Sequence, residues 1–231
     1  MNLQNWRKKA YMLGIFGIIL WIILSTIAMF FYPGGTEINP STLGYSFWSN
    51  YISDLGRTVT YSGAPNSISQ ILFTVFTVIY GFTTFVFFIA LLSIFTESRS
   101  GKWISIIGGI FAGISAIGAF CLAFAPSDVY PELHGLFSGV TYLAAIFLVI
   151  FIVIEIFLTK KLPQKYAFLL LISVILTFIA MIVLFTGPKV IVAPEWLEIY
   201  VVGQKVLTYV SLAAFGATAY GAWKLSGKSA T

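Results

Sequence analysis

Residues 10–31 read AYMLGIFGIILWIILSTIAMFF, a run of 22 residues without a charged side chain. About 20 predominantly apolar residues are enough for an α-helix to cross the hydrocarbon core of a bilayer. Pro33, Gly34 and Gly35 follow closely, and such residues interrupt helices. This stretch therefore predicts a transmembrane helix with a sharp end, and it decides the class of the fold.

The whole chain shares this composition. Of its 231 residues, 59% are hydrophobic and only 9% are charged, whereas soluble domains carry about 25% charged residues. The apolar residues form long unbroken runs and not alternating segments of about ten residues, which excludes a transmembrane β-barrel. The sequence thus predicts an all-α polytopic membrane protein.

Six runs are long enough to span a bilayer, and no internal repeat or linker divides them. We therefore predict a single six-helix transmembrane domain over residues 1–231, with a short amphipathic segment between helices 1 and 2. The predicted spans cover residues 10–31, 67–95, 103–125, 133–158, 166–185 and 196–223.

The basic residues predict how the bundle is oriented. The run after the basic cluster at residues 7–9 is too long for a signal-peptide core and has no A-x-A-like cleavage site after it, so we expect a retained signal anchor. An inside N-terminus leaves only Arg57 and Lys189 in outer connections, with Lys205 inside a span. The ten residues on the inner side are Arg7, Lys8, Lys9, Arg99, Lys102, Lys160, Lys161, Lys165, Lys224 and Lys228. This bias predicts a multi-pass protein of the cell membrane with both termini in the cytoplasm.

The connection between the first two spans, roughly residues 32–66, is the most polar part of the chain, and at residues 45–57 it reads YSFWSNYISDLGR. Helical spacing divides this stretch into two sides. The polar side holds Asn50, Ser53, Asp54 and Arg57. The apolar side holds Trp48, Ile52 and Leu55. The pattern is typical of a short amphipathic helix on a membrane surface, and the alternative is a solvated turn and helix with an aromatic anchor.

Two more polar patches share the predicted outer face. Residues 126–134, PSDVYPELH, contain the only histidine, and residues 194–198, PEWLE, lead to Gln204 and Lys205. Each acidic residue also has a structural interpretation, because carboxylates near a helix start are stabilised by the helix dipole. Convergence of the patches nevertheless favours a binding site. The candidate ligand-binding residues are Asn50, Ser53, Asp54, Arg57, Asp128, His134, Glu198 and Lys205.

Lys205 is the most unusual of these residues. A helix that begins near Pro194 carries Lys205 roughly 16 Å along its axis, which approaches the middle of the bilayer. A lysine at that depth costs at least about 2.5 kcal/mol on insertion scales. We therefore expect the ammonium to point into the bundle and to meet a carboxylate, that of Asp54 in preference to that of Glu198.

Three motifs together resemble a known family. They are S-N-Y-I-S-D-L-G at residues 49–56, P-S-D-x-x-P-E-L-H at residues 126–134, and E-W-L-E followed by G-Q-K within residues 195–205. This combination resembles the prokaryotic integral-membrane family known as domain of unknown function 998. It is more distantly similar to the DRAM/Sfk/Frag group, whose members are linked to lipid handling. The resemblance covers nearly the whole chain and implies a fold and candidate positions, but no reaction. It leads us to expect an arginine where this chain has Lys205, which keeps the charge but loses bidentate geometry.

Three classes of function follow from these residues. The favoured one is a membrane protein of unknown molecular activity whose outward-facing polar pocket binds a lipid headgroup or a small solute. The second is an intramembrane lipid hydrolase or transferase that uses His134 as general base and Asp54 as its orienting or metal-binding partner. The third is a structural or assembly subunit. The enzyme is disfavoured because the chain lacks G-x-S-x-G, paired-histidine and phosphate-loop motifs.

The expected partners are membrane lipids and a lipid or small-molecule ligand, with no cofactor. The basic excess of the chain is explained by its cytoplasmic loops, so no nucleic acid is expected. One cysteine and one histidine exclude a cysteine-based zinc site and a three-histidine centre. We predict no metal site, although Asp54, Asp128 and His134 are chemically able to hold a divalent ion.

Overall fold

The computed structural model describes residues 3–228, with side chains over residues 5–226. Its six α-helices are α1 Leu3–Phe31, α2 Ser67–Leu92, α3 Arg99–Ala123, α4 Pro131–Thr159, α5 Gln164–Thr186 and α6 Leu197–Lys228. Each predicted span coincides with one helix, so the predicted all-α bundle is confirmed. Residues 1–2 and 229–231 of the predicted domain and the side chain of Lys228 lie outside what the structure describes.

All six helices are long and apolar enough to cross a membrane, and the candidate spans hold 23 to 33 residues each. Consecutive helices pack against each other, and α1 also packs against α6, which closes the bundle into a ring. Close approach of small residues supports this packing, because helices in lipid associate through van der Waals contact and not through the hydrophobic effect. A Cβ atom at Gly118 of α3, for example, would lie 2.6 Å from Oγ1 of Thr141 on α4.

Three connections meet at one end of the bundle, which we call the upper end. The α1–α2 connection is joined to the α3–α4 connection by hydrogen bonds from Thr58 to Asp128. It is joined to α6 by a hydrogen bond of 2.7 Å from the amide of Ile52 to Oε1 of Gln204.

The other end, the lower end, is closed by short turns. Arg7 of α1 donates through Nε to the hydroxyl of Ser93, at 2.8 Å, and through Nη2 to its carbonyl, at 2.8 Å. Lys161 donates to the carbonyl of Ile94 at 2.6 Å and pairs with Glu97 at 2.7 Å. The side chains of Phe87, Leu91 and Phe95 are fully buried beneath these contacts.

The α1–α2 connection forms a compact cap at the upper end. Gly34 and Gly35 turn the chain after α1 with φ angles of +139° and +85°, and a Cβ atom at Gly35 would collide with the backbone of Ser62. Two isolated β-bridges, between Gly34 and Leu43 and between Val59 and Pro65, stabilise the cap.

The amphipathic segment differs in detail from the predicted surface helix. Only Ile52–Gly56 is helical, as a single 3-10 helix. The polar residues Asn50 and Asp54 are 0% and 2% exposed, whereas Trp48 is 62% exposed. Both sides of the segment are buried, since Ile52 and Leu55 are 5% and 0% exposed. The buried polar side chains supply hydrogen-bond partners to the backbone of the cap where it enters the bundle.

Candidate functional site

A cavity of ≈ 460 Å³ lies at the upper end. This volume is within the range of pockets that bind small molecules. Its wall is formed by the cap together with α4, α5 and α6. The ionisable side chains that line it, apart from tyrosines, are Glu37, Asp54, Arg57 and His134. The cavity therefore brings carboxylates and basic groups to the same space.

Asn50 is the centre of a hydrogen-bond network in the buried part of the cap. Its Oδ1 accepts from the amide of Ser46 at 2.9 Å, and its Nδ2 donates to the carbonyl of Gly35 at 2.9 Å and to Oδ2 of Asp54 at 3.0 Å. The backbone carbonyl of Asn50 accepts from the Tyr45 hydroxyl at 3.0 Å. Asn50 is thus a buried structural residue behind the cavity, and it does not line the cavity.

Asp54 connects this network to the cavity. Its Oδ2 accepts from Nδ2 of Asn50 and from the amide of Tyr51, at 2.9 Å. Among the described residues, no hydrogen bond to Oδ1 is found. Burial raises the pKa of the Asp54 carboxyl to about 6, although the Asn50 amide, the Arg57 guanidinium and the Tyr51 N–H oppose this shift. Asp54 is therefore a carboxyl that changes charge near neutral pH.

Lys205 points into the bundle, as the sequence predicts, and only 3% of it is exposed. Within the described part of the chain, the expected ion pair with Asp54 or Glu198 is not formed. Nζ instead donates to the carbonyl of Asn50 at 2.6 Å. It also lies 5.5 Å from the ring centre of Tyr45 and 4.9 Å from that of Phe47, distances at which an aromatic face attracts a cation. The reason is that the cap presents a backbone carbonyl and two rings to the ammonium, while Asp54 is reached only through Asn50.

Gln204, the neighbour of Lys205, holds the cap to α6 from the cavity side. In addition to accepting from Ile52, it donates through Nε2 to the hydroxyl of Ser53 at 3.3 Å. Both Gln204 and Ser53 line the cavity. The G-Q-K motif of α6 is thus hydrogen-bonded to the S-N-Y-I-S-D-L-G motif through Gln204.

Asp128 has a structural role in the second motif. Its carboxylate accepts from the amides of Thr58 and Val59, at 3.0 and 2.9 Å, and from the Thr58 hydroxyl. Desolvation raises the pKa of Asp128, but these hydrogen bonds outweigh it and leave the pKa below its usual value. Asp128 therefore fastens the α3–α4 connection to the cap, and its neighbour Ser127 lines the cavity in its place.

His134 lies one turn into α4, which begins at Pro131. Its Nδ1 is 2.7 Å from the carbonyl of Ala125. Because a carbonyl oxygen can only accept, Nδ1 carries the proton, and Nε2 of the neutral ring has no hydrogen-bond partner among the described residues. His134 lines the cavity, so this arrangement provides a basic nitrogen oriented by Ala125 and not by Asp54.

Arg57 is half-buried at the mouth of the cavity. Its Nε donates to the carbonyl of Val59 at 3.1 Å, and its guanidinium stacks 3.9 Å from the ring centre of Tyr61. It forms no ion pair with Asp54 or Glu37 among the described residues. The remaining donors of its planar fork are therefore available to a ligand.

The predicted site residues thus separate into groups. Ser53, Asp54, Arg57 and His134 line the cavity; Asn50 and Lys205 support it from behind; Asp128 ties two connections together; and Glu198 is exposed and outside the cavity. Sequence reasoning about the site missed Glu37, Tyr51 and Tyr61, which belong to irregular parts of the cap where no periodicity marks a face. Ser138 could be found, because it lies four residues after His134 on the same face of α4.

No group of three or more His, Cys, Asp or Glu side chains is placed to hold a metal ion within residues 3–228. A mixed site made by Asp54, Asp128 and His134 consequently has no support in the geometry, since Asp128 is already committed to Thr58 and Val59.

Comparison with known proteins identifies one family. A family model described as "Protein of unknown function (DUF998)" matches residues 15–219. That range includes all three motifs that meet around the cavity. No curated protein and no solved structure shows significant similarity to the chain.

Proposed function

The chain belongs to the DUF998 family, and we propose that it is a non-enzymatic membrane protein whose upper cavity binds a lipid headgroup or a small polar solute. The observation that carries this proposal is the convergence of three distant segments on one cavity. Gln204 receives the cap from α6, Asp128 fastens the α3–α4 connection to it, and the space between them stays open. Polar groups arranged around such a space are the usual form of a small-molecule site.

The lining indicates the chemistry of the ligand. Arg57 offers donors to a phosphate or carboxylate group, while the Asp54 and Glu37 carboxyls favour an ammonium or hydroxyl group. A purely anionic ligand would be repelled by the two carboxylates when they are ionised. A zwitterionic or hydroxyl-rich headgroup matches both sets of groups.

We further propose that the upper end faces the outside of the cell membrane. The lysines and arginines of the lower end support this orientation through the positive-inside bias. A reporter fused after Lys224 is expected to lie on the cytoplasmic side of the membrane. An external reporter at that position would overturn the orientation.

The binding proposal is tested with tail-free headgroups on the purified, detergent-solubilised chain. Glycerophosphoethanolamine, glycerophosphocholine and glycerophosphoglycerol are titrated and followed by saturation-transfer NMR. Arg57→Gln is expected to weaken binding of at least one of them about tenfold, the effect of one charge-assisted hydrogen bond. Lys189→Gln is the matched control, because Lys189 is an exposed basic residue in another connection of the same end. Equal binding by both variants for all three compounds would overturn the proposal.

A second function, an intramembrane lipid hydrolase or transferase, is favoured by one observation: within the part of the chain that the structure describes, Nε2 of His134 has no hydrogen-bond partner. A neutral imidazole with Nδ1–H held by a carbonyl is able to act as a general base. Incubation of the wild type with lysophospholipids, followed by mass spectrometry of the lipids, tests it. Turnover by the wild type that is abolished in His134→Gln would establish the enzyme. Lipids that stay unchanged would refute the enzyme and support the non-enzymatic binding protein.

A further inference from the structure

The upper cavity adjoins further space deeper in the bundle. A second cavity of ≈ 110 Å³ adjoins it deeper in the bundle, and we call this the inner chamber. The two share five lining residues, which are Ser53, His134, Ser138, Tyr142 and Gln204. A third cavity of ≈ 60 Å³ continues the series and shares Tyr80, Ala119 and Thr141 with the inner chamber.

The character of the wall changes along this series. Among the described residues, no Asp, Glu, Lys or Arg lines the inner chamber or the third cavity, in contrast to the upper cavity. The inner chamber is walled by large apolar side chains such as Trp21, Phe73, Phe76, Leu122 and Leu207. With increasing depth the lining therefore loses its carboxylates and its guanidinium, while hydroxyl groups and the Gln204 amide remain among large apolar side chains.

Three of the threonines that line the deeper cavities donate within their own helices. Thr141 donates to the carbonyl of Phe137 at 2.7 Å, and Thr208 donates to that of Gln204 at 2.8 Å. Thr84 donates in the same way, at 2.6 Å, to the residue four positions earlier. Such a threonine has no donor left for a ligand. The deeper cavities are accordingly a better environment for hydrocarbon than for water, as apolar cavities in proteins generally are.

We propose that the ligand of this protein is a lipid that inserts a single apolar chain into the bundle. This inference rests on the proposed function and deepens it. The polar head lies between Arg57 and Asp54 in the upper cavity, and the chain passes His134 and Ser138 to occupy the inner chamber. The inner chamber, at ≈ 110 Å³, is smaller than an apolar cavity of about 150 Å³ that holds one benzene, so it limits the inserted part to a few carbons of one chain. The site thus recognises the junction between a headgroup and a chain, which a free polar solute does not have.

A substitution of Ser138 tests binding of the apolar chain separately from binding of the headgroup. It lines both cavities, is half-buried, and forms no hydrogen bond among the described residues. Ser138→Phe is expected to fill the passage while it leaves Arg57 and Asp54 in place. Leu136→Phe is the matched control, because Leu136 is an exposed apolar residue of the same helix. Thr77→Leu, which fills the inner chamber from α2, is a second variant that does not depend on the passage.

The test uses a short-chain lysophosphatidylethanolamine with a diazirine in its acyl chain, photolysed in the presence of the full-length protein in nanodiscs. The expected cross-links map to inner-chamber residues such as Leu122. They should fall at least fivefold in Ser138→Phe and in Thr77→Leu, and stay unchanged in Leu136→Phe. Equal labelling of Leu122 in all folded variants, or labelling confined to exposed residues such as Ile117, would overturn the inference.

The tail-free headgroups distinguish failure of the inserted chain from failure of the proposed function. Arg57-dependent binding of a headgroup without cross-links in the inner chamber would refute the inserted chain and leave the proposed function intact. Loss of Arg57 dependence for every headgroup would refute the proposed function itself.

Discussion

The two ends of the bundle bury polar groups in different ways. At the upper end, Asn50, Asp54 and Lys205 are at most 3% exposed. At the lower end, the ion pair of Lys161 and Glu97 lies at the rim, with the Glu97 side chain 83% exposed.

The length of the connections explains the difference. Short turns at the lower end leave little irregular backbone, so mostly apolar side chains fill the interior, with Glu155 as a buried exception. The cap brings irregular backbone toward the bundle, and each of its amides and carbonyls needs a partner away from water. Buried polar side chains meet that need, and the space they do not fill is the cavity. The polar residues of the upper end therefore mainly support the fold, and a few of them line the cavity.

The largest effect that tests this comparison is expected for Asn50→Ala. The substitution removes three hydrogen bonds, those with Ser46, Gly35 and Asp54, of which the last two are fully buried. An unpaired buried polar group costs about 1–3 kcal/mol, so the free energy of unfolding should fall by at least about 3 kcal/mol in an SDS titration. Asn39→Ala in the same cap is the control, because Asn39 is exposed and bonds only within its own turn; it should change the value by less than about 0.5 kcal/mol. Similar effects of the two variants would contradict a structural role of buried polarity.

A pH-dependent effect is expected from Asp54→Asn. The native pKa of about 6 lies above the usual value of 3.8, so the native state holds the proton more tightly than the unfolded state. The stabilisation from this group is present below about pH 4 and is lost as the pH rises through 6, by up to about 3 kcal/mol. The substituted asparagine side chain cannot titrate, and its carbonyl oxygen still accepts from Asn50 and Tyr51.

The measurement is the difference in unfolding free energy between wild type and Asp54→Asn from pH 4 to pH 7. The difference cancels the contribution of Glu37, whose pKa burial also raises. It also cancels that of Asp128, whose lowered pKa acts in the opposite direction, at more acidic pH. A difference that does not vary with pH would show that Asp54 is not the titrating group.

A smaller effect of opposite sign is expected at the lower end. Glu155 of α4 is 1% exposed, and its Oε1 has no hydrogen-bond partner within the described residues. Removal of an unsatisfied buried group, as in Glu155→Leu, should stabilise the protein by about 1–3 kcal/mol in the same titration. A destabilised Glu155→Leu protein would mean that the lower end, too, uses buried polarity to hold its structure.

The smallest effect is expected for the surface ion pair. Glu97→Gln should change the unfolding free energy by less than about 0.5 kcal/mol, because exposed pairs contribute little and Lys161 keeps its bond to the carbonyl of Ile94. A loss above about 1 kcal/mol, the upper end of what exposed pairs contribute, would show that the rim is as important as the interior, and would remove the contrast between the two ends.

The sequence by itself determined the six helices and their approximate ends, since the apolar length of a segment is a local property that a bilayer requires. It also determined that Lys205 points inward, because a lysine facing lipid at that depth is too costly. The three polar motifs were recognisable as one set, and four of the eight candidate residues line the cavity.

Only the tertiary structure decided what each polar group meets. The pattern of residues 45–57 defines two sides of a segment, but the folded cap buries Asn50 and Asp54 of the polar side together with Leu55 of the apolar side. Lys205 donates to the carbonyl of Asn50 and lies against two aromatic rings, and it does not pair with the expected carboxylate. Glu198 is exposed and lies outside the cavity, whereas Glu37 lines it. The folded path of the connections, and not spacing along the chain, places each carboxylate. Hydrogen bonds are short and directional, so a polar group's partner is fixed by the path of three folded connections and not by spacing along the chain.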